Sequence, residues 1–121
     1  MGEYLLGHVD DRVRRMATGL AGGVGGTHEE LCGALSSGAM LIGALYGRTR
    51  PDQDNELCYE LATRYRDLFI QALGTTRCCE LRAQGYGSDG TIPCSVLVEK
   101  AANIFLGILA GDKQRGAPSP G

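Results

Sequence analysis

The sequence predicts an all-α protein: a compact bundle of about four long helices plus one short helix. Four segments carry apolar residues at the i, i+3, i+4, i+7 spacing of a helix face, and no segment shows the period-two alternation of a strand. Turns rich in Gly, Pro, Asp and Asn separate them, as in a bundle with mostly brief connections. A chain of 121 residues can bury one core without staples. The expected organisation is a single helical domain over residues 1–112, followed by a disordered polar tail over 113–121.

The first helix is read over residues 3–21, with Val9, Val13, Met16, Ala17 and Leu20 on its apolar side and Asp10, Asp11, Arg12, Arg14 and Arg15 elsewhere. His8 reads as an exposed or partly packed side chain. Gly22-Gly23-Val24-Gly25-Gly26 follows and feeds the next helix. Such a turn can hold an anion at a helix start, but the phosphate-loop spacing is absent and no Lys follows. It reads instead as a tight turn crowding backbone against the next element. Gly25 and Gly26, with Ser36 farther on, are the candidate cofactor-binding residues.

Thr27 to Arg48 reads as the central helix, opened by a Thr27–Glu30 capping box. No residue from Leu31 to Gly47 is charged, so the helix should be buried all round. Leu31, Leu35, Leu41, Ile42 and Leu45 crowd one half, while Cys32, Ser36, Ala39 and Gly43 form a stripe of small residues on the other. Cys32 would then lie in the second turn, at the top of a slot. His28, four residues before it in the first turn, could share a metal with it. Gly33, Gly38, Gly43, Gly47 and Gly107 all interrupt helical patterns. Each costs roughly 1 kcal/mol against Ala, so close helix contact or a ligand is expected there.

A polar turn with Pro51 leads into the next helix, which carries a stripe of Cys58, Leu61, Ala62, Tyr65, Leu68, Phe69 and Ala72 and stops at Gly74. Cys58 belongs to that stripe and reads as core. Thr75 or Thr76 caps a short helix that has Cys78 and Cys79 in its first turn. There the helix dipole and the adjacent Arg77 would favour thiolates. Thr91 and Pro93 open the last helix, with Cys94 in its first turn and Leu97, Val98, Ala101, Ile104, Phe105 and Ile108 facing inward. Val96 and Leu106 lie off that face, which suggests a dimer surface.

Cys32, Cys78 and Cys94 thus share a position near a helix start, and if those starts converge they offer thiols to one electropositive pocket. Such a group could exchange disulfides, hold a soft metal or ligate an iron–sulfur cluster. No Cys-x-x-Cys, HExxH or Cys/His finger spacing selects among these. Five cysteines is an odd number, and no signal peptide precedes them, so a reducing, cytoplasmic setting is expected. A net charge of −2 gives no basic field for nucleic acid. The uncharged central helix falls short of the roughly 20 residues that span a bilayer, so no membrane span is expected.

Three segments resemble the family called C-GCAxxG-C-C. The first is Ala21 to Gly26 with Cys32-Gly33-Ala34-Leu35-Ser36-Ser37-Gly38-Ala39. The others are Gly74 through Cys78-Cys79-Glu80-Leu81, and Pro93-Cys94 leading to Val98-Glu99-Lys100-Ala101-Ala102. The resemblance implies a small helical protein with redox-active or cluster-binding cysteines. Cys32 matches the cysteine of the family's central motif, Cys78 the next and Cys94 the last. The family's first cysteine has no counterpart, and Ser37 stands where the motif ends in Gly, with Gly38 one place on. A four-ligand site would therefore need Cys79, His28 or a partner subunit. The expectation is a thiol-based redox or electron-transfer protein, a homodimer with a redox partner protein, using Cys32, Cys78 and Cys94 with Cys79 as resolving thiol. A metal or iron–sulfur binding module using Cys32, Cys78, Cys94 and His28, or a structural helical dimer, is the alternative.

Overall fold

The computed structural model describes residues 7–87 and 91–114, and for 112–114 the backbone alone. Among these residues it contains five helices and no sheet. They are α1 (Asp11–Leu20), α2 (Gly33–Tyr46), α3 (Glu56–Leu73), α4 (Cys78–Ala83) and α5 (Cys94–Gln114).

α3 and α5 build the core with α2. Along α3, Leu61, Tyr65, Phe69 and Leu73 recur every fourth residue and are buried. Leu97, Ala101, Phe105, Ile108 and Leu109 of α5 meet them, and Leu35 and Ile42 come from α2. Tyr65 sits at the middle. Its ring meets Phe69 and Phe105 edge-on, with centroids 6.2 and 5.9 Å away, the arrangement that aromatic quadrupoles favour. Of the apolar stripe expected on α3, Leu68 and Ala72 are exposed, and Cys58 is half-buried at the core's edge. α3 ends at Gly74, whose φ of 88° closes the helix as only Gly does cheaply. On α5, Val98 is exposed rather than inward, because Leu97 and Ala101 take the core-facing positions beside it.

The first two elements depart from the sequence-based expectation. Residues 3–6 lie outside the described residues, and α1 begins only at Asp11, where Asp10 Oδ1 accepts from the Arg12 N–H at 2.6 Å. None of its residues is buried, and Val13 and Met16 are exposed.

After α1 the chain winds the wrong way. Gly22, Gly23, Val24, Gly25 and Gly26 have φ of 62°, 64°, 63°, 62° and 82°, and His28 has 62°. This is a left-handed turn, which costs about 1–2 kcal/mol for each residue that carries a Cβ. Four of the five positions in the run are Gly. The turn displaces the expected capping box. Thr27 Oγ1 donates back to the Gly23 and Val24 carbonyls, and the Glu30 N–H bonds to the Gly23 carbonyl. α2 therefore starts at Gly33 with Cys32 as its N-cap, and Leu31 is exposed outside it.

At the other end of the chain α5 continues through Lys113 and Gln114, past the expected tail boundary. The remaining tail, 115–121, lies outside the described residues. Among the described residues α5 is the helix long and apolar enough to cross a membrane by length and composition, over Cys94–Gly111. Of that stretch 22% is buried, and those side chains belong to the core.

Candidate functional site

Two pairs of backbone hydrogen bonds bring the three helix starts together. The Cys32 N–H donates to the Thr76 carbonyl at 2.7 Å, and the Cys78 N–H donates to the Glu30 carbonyl at 2.9 Å. This reciprocal pair flanks an antiparallel bridge between Leu31 and Arg77 and staples the start of α2 to the start of α4. A second bridge joins Tyr86 to Ile92, with the Ile92 N–H on the Gly85 carbonyl at 2.9 Å and the Gly87 N–H on the Ile92 carbonyl at 3.0 Å. It returns the chain so that Pro93 and Cys94 open α5 beside α4.

Cys32, Cys78 and Cys94 consequently line one cavity of about 360 Å³. Cys32 is buried, Cys78 half-buried and Cys94 exposed, so the thiols run from the floor to the rim. Cys79, the neighbour of Cys78, is half-buried off the cavity wall, and Cys58 is remote from it. The wall contributed by α2 is Gly33, Ala34, Ser37, Gly38 and Leu41. The expected stripe of Ser36, Ala39 and Gly43 faces elsewhere. Ser36 is buried, and its hydroxyl bonds the Gly33 carbonyl at 3.2 Å.

Gly25 and Gly26, expected at a ligand, are exposed and off the wall. Gly22 and Gly23 line it instead. Gly23 is closely hemmed in. A Cβ there would lie 2.5 Å from Cys78 Cβ and 2.9 Å from His28 Cα. Of the glycines expected at close helix contacts, Gly38 is one, since a Cβ on it would fall 2.4 Å from the Tyr65 ring. Gly43 and Gly107 face open space.

His28 is not on a helix turn with Cys32. The left-handed turn swings it across the site, where its Nδ1 stands 3.4 Å from Cys78 Sγ. An imidazole at that distance can hold or exchange the thiol's proton. Arg77, expected to supply the positive charge, points away, with its guanidinium on the Glu29 carbonyl at 3.2 Å and 3.6 Å from Glu80. Arg82 supplies the charge in its place. It lines the cavity and draws the Cys78 thiol down.

Burial outweighs these influences. The Cys32 thiol is pushed above its ordinary value by burial, although the Ala34 and Leu35 N–H groups at the start of α2 pull it down. Cys78 is also raised, first by burial and then by Cys94 and Cys79, against Arg82. Helix starts thus do not make these two thiols thiolates. An apolar wall wins over the dipole.

Sequence reasoning also missed Tyr65 as part of the site, because it fits a core stripe. Its hydroxyl reaches past the core to donate to the Ala34 carbonyl at 2.8 Å, and burial, then Cys32, push it up to about 12. The small residue at position 38, opposite its ring, is the signal that could have located it.

A cluster or soft metal needs several ligands about 2.3 Å from one point. Among the described residues no group of three or more His, Cys, Asp or Glu side chains stands close enough to hold a metal ion. The thiols and His28 suit a soft metal by type, but their placement does not fit one.

No curated protein and no solved structure matches the chain. A family model does. The model described as "Putative redox-active protein (C_GCAxxG_C_C)" matches residues 1–108, which span the glycine turn, the α2 start with Cys32, the Cys78 helix and Cys94. The chain belongs to the C_GCAxxG_C_C family.

Proposed function

We infer that the protein is a thiol–disulfide exchange protein in which Cys78 attacks and Cys32 resolves. The observation that supports this reading is the His28 Nδ1–Cys78 Sγ contact of 3.4 Å, made to a thiol that lines one cavity with Cys32 and Cys94. Because burial raises Cys78, the resting thiol is protonated, and attack requires a base within reach.

In the forward direction His28 takes the Cys78 proton, and the thiolate attacks one sulfur of an incoming disulfide. The old S–S bond breaks, and the released sulfur takes the proton from His28. Cys32 then attacks Cys78 Sγ and gives up its own proton to the second leaving thiolate. Two thiols are oxidised to a Cys32–Cys78 disulfide, and one external disulfide is reduced to two thiols. Cys94 at the rim is the thiol an incoming partner meets first. Cys79 is not the resolving group in this scheme, because it lies off the cavity. Five free cysteines suit a reducing, cytoplasmic setting, and the exposed Met16 and Val98 suit a partner protein or a second copy.

The test is peptide mapping after limited oxidation, together with alkylation of Cys78 as a function of pH. A Cys32–Cys78 disulfide is expected, and His28→Asn, which tolerates the left-handed backbone, should slow Cys78 alkylation at neutral pH by about tenfold or more. An oxidised product lacking Cys78, or an unchanged alkylation rate in His28→Asn, would sink the assignment.

A further inference from the structure

We propose that the small molecule exchanged in this cavity is an apolar disulfide, a strained five-membered S–S ring bearing a short aliphatic chain, in preference to a charged peptide disulfide. The proposal rests on the thiol-exchange reading and adds the class of substrate.

Size and lining carry it. An apolar cavity of roughly 150 Å³ accepts a benzene-sized molecule, and this one measures about 360 Å³. It has room for a small ring and several methylenes. Its walls are mainly apolar: Ala17, Ala21, Leu41, Leu97, Ala102 and Phe105 offer no side-chain hydrogen bond, and the polar side chains that join them are Ser37, Tyr65, Arg82 and Tyr86. The Tyr65 hydroxyl is committed to the Ala34 carbonyl. A charged peptide disulfide would bring several carboxylates and ammonium groups into a space where Arg82 is the one charged lining side chain, and those left unpaired against the apolar walls are unfavourable. An aliphatic chain gains from the same walls. The small side chains at positions 17, 21 and 102 leave the space open, and Gly22 and Gly23 bring backbone rather than a side chain up to the sulfurs. A ring disulfide also needs only one face of its S–S bond presented to Cys78.

The exchange balances as before. Cys78 opens the ring to a mixed disulfide with a free terminal thiolate, which takes the proton held by His28. Cys32 then displaces the second sulfur, giving the protein disulfide and an apolar dithiol, and the reverse reaction recloses the ring.

Reduced protein would be mixed with lipoamide, oxidised glutathione and oxidised dithiothreitol under anaerobic conditions. Each rate is divided by the rate of the same disulfide with a free small thiol, which removes intrinsic ring reactivity. The normalised rate for lipoamide should exceed that for glutathione disulfide by about tenfold or more, on the order of what one or two buried methylenes give in an apolar pocket. Ala102→Leu, which narrows the cavity away from the sulfurs, should shrink that ratio while far-UV circular dichroism shows the helices retained. Equal normalised rates, a preference for glutathione disulfide, or a ratio untouched by Ala102→Leu in a folded variant would overturn the substrate class and leave thiol exchange standing. No exchange with any of the three would overturn thiol exchange itself, and the proposal with it.

Discussion

The two walls of the thiol cavity are made in opposite ways. On one side α2, α3 and α5 pack side chain against side chain, and Tyr65 touches Phe69, Phe105, Gly38 and the Ala34 carbonyl at once. On the other, the Gly22–Gly26 turn contributes almost no side chains, and backbone conformation alone brings His28 to Cys78. The packed wall fixes Cys32 through burial, and the wound wall fixes Cys78 through dihedral angles. A packed wall fails gradually as atoms are removed. A wall of left-handed backbone fails when a single methyl group is added.

Gly23→Ala should therefore have the largest effect. It adds a Cβ 2.5 Å from Cys78 Cβ at a φ of 64°. A loss of about 3 kcal/mol or more in chemical denaturation is expected, with the His28–Cys78 contact broken. A near-neutral Gly23→Ala would show that the turn is not as rigid as its hydrogen bonds imply. On the packed wall, Gly38→Ala drives a Cβ to 2.4 Å from the Tyr65 ring. The expected loss is about 1–3 kcal/mol, partly offset by better helix propensity, and relieved in the double variant with Tyr65→Leu.

Tyr65→Phe deletes only the hydroxyl bonded to Ala34 and should cost about 1 kcal/mol. It also changes the response to pH. The folded phenol titrates at about 12 against 10.0 for a free one, so its contribution is complete below pH 10 and is lost as pH rises towards 12. Denaturation midpoints of the native protein should fall across that window more steeply than those of Tyr65→Phe, and parallel curves would count against the burial of the phenol. The smallest effect should be a gain. Val24 is β-branched at a φ of 63°, so Val24→Gly should stabilise the fold by up to about 1 kcal/mol, read as a rise in melting temperature.

The same contrast explains what the sequence made legible. Periodic apolar residues encode α3 and α5, and the Gly74 stop is where the pattern ends. The start of α2 is hidden because Thr27 and Glu30 fit a capping box locally, while the preceding glycines permit a left-handed path that the Leu31–Arg77 bridge then selects. Convergence of Cys32, Cys78 and Cys94 could be anticipated from their shared place at helix starts. The His28–Cys78 pair could not, because it joins residues 50 apart through a turn whose handedness local spacing does not reveal. Nor could the protonated state of the buried thiols, since it depends on how apolar the assembled wall is.

The left-handed turn has a stereochemical consequence. A D-amino acid prefers the backbone angles that an L-residue avoids, so Gly25 and Gly26, with φ of 62° and 82°, are places where mirror-image alanine would suit the existing backbone path. The chain divides conveniently at Cys32 for joining synthetic segments. A protein assembled with D-Ala at position 25 or 26 should be more stable than the glycine form, because the unfolded chain loses freedom while the folded turn is unstrained. The L-Ala counterpart should be less stable. The sign of that difference is a direct chemical readout of the turn's handedness.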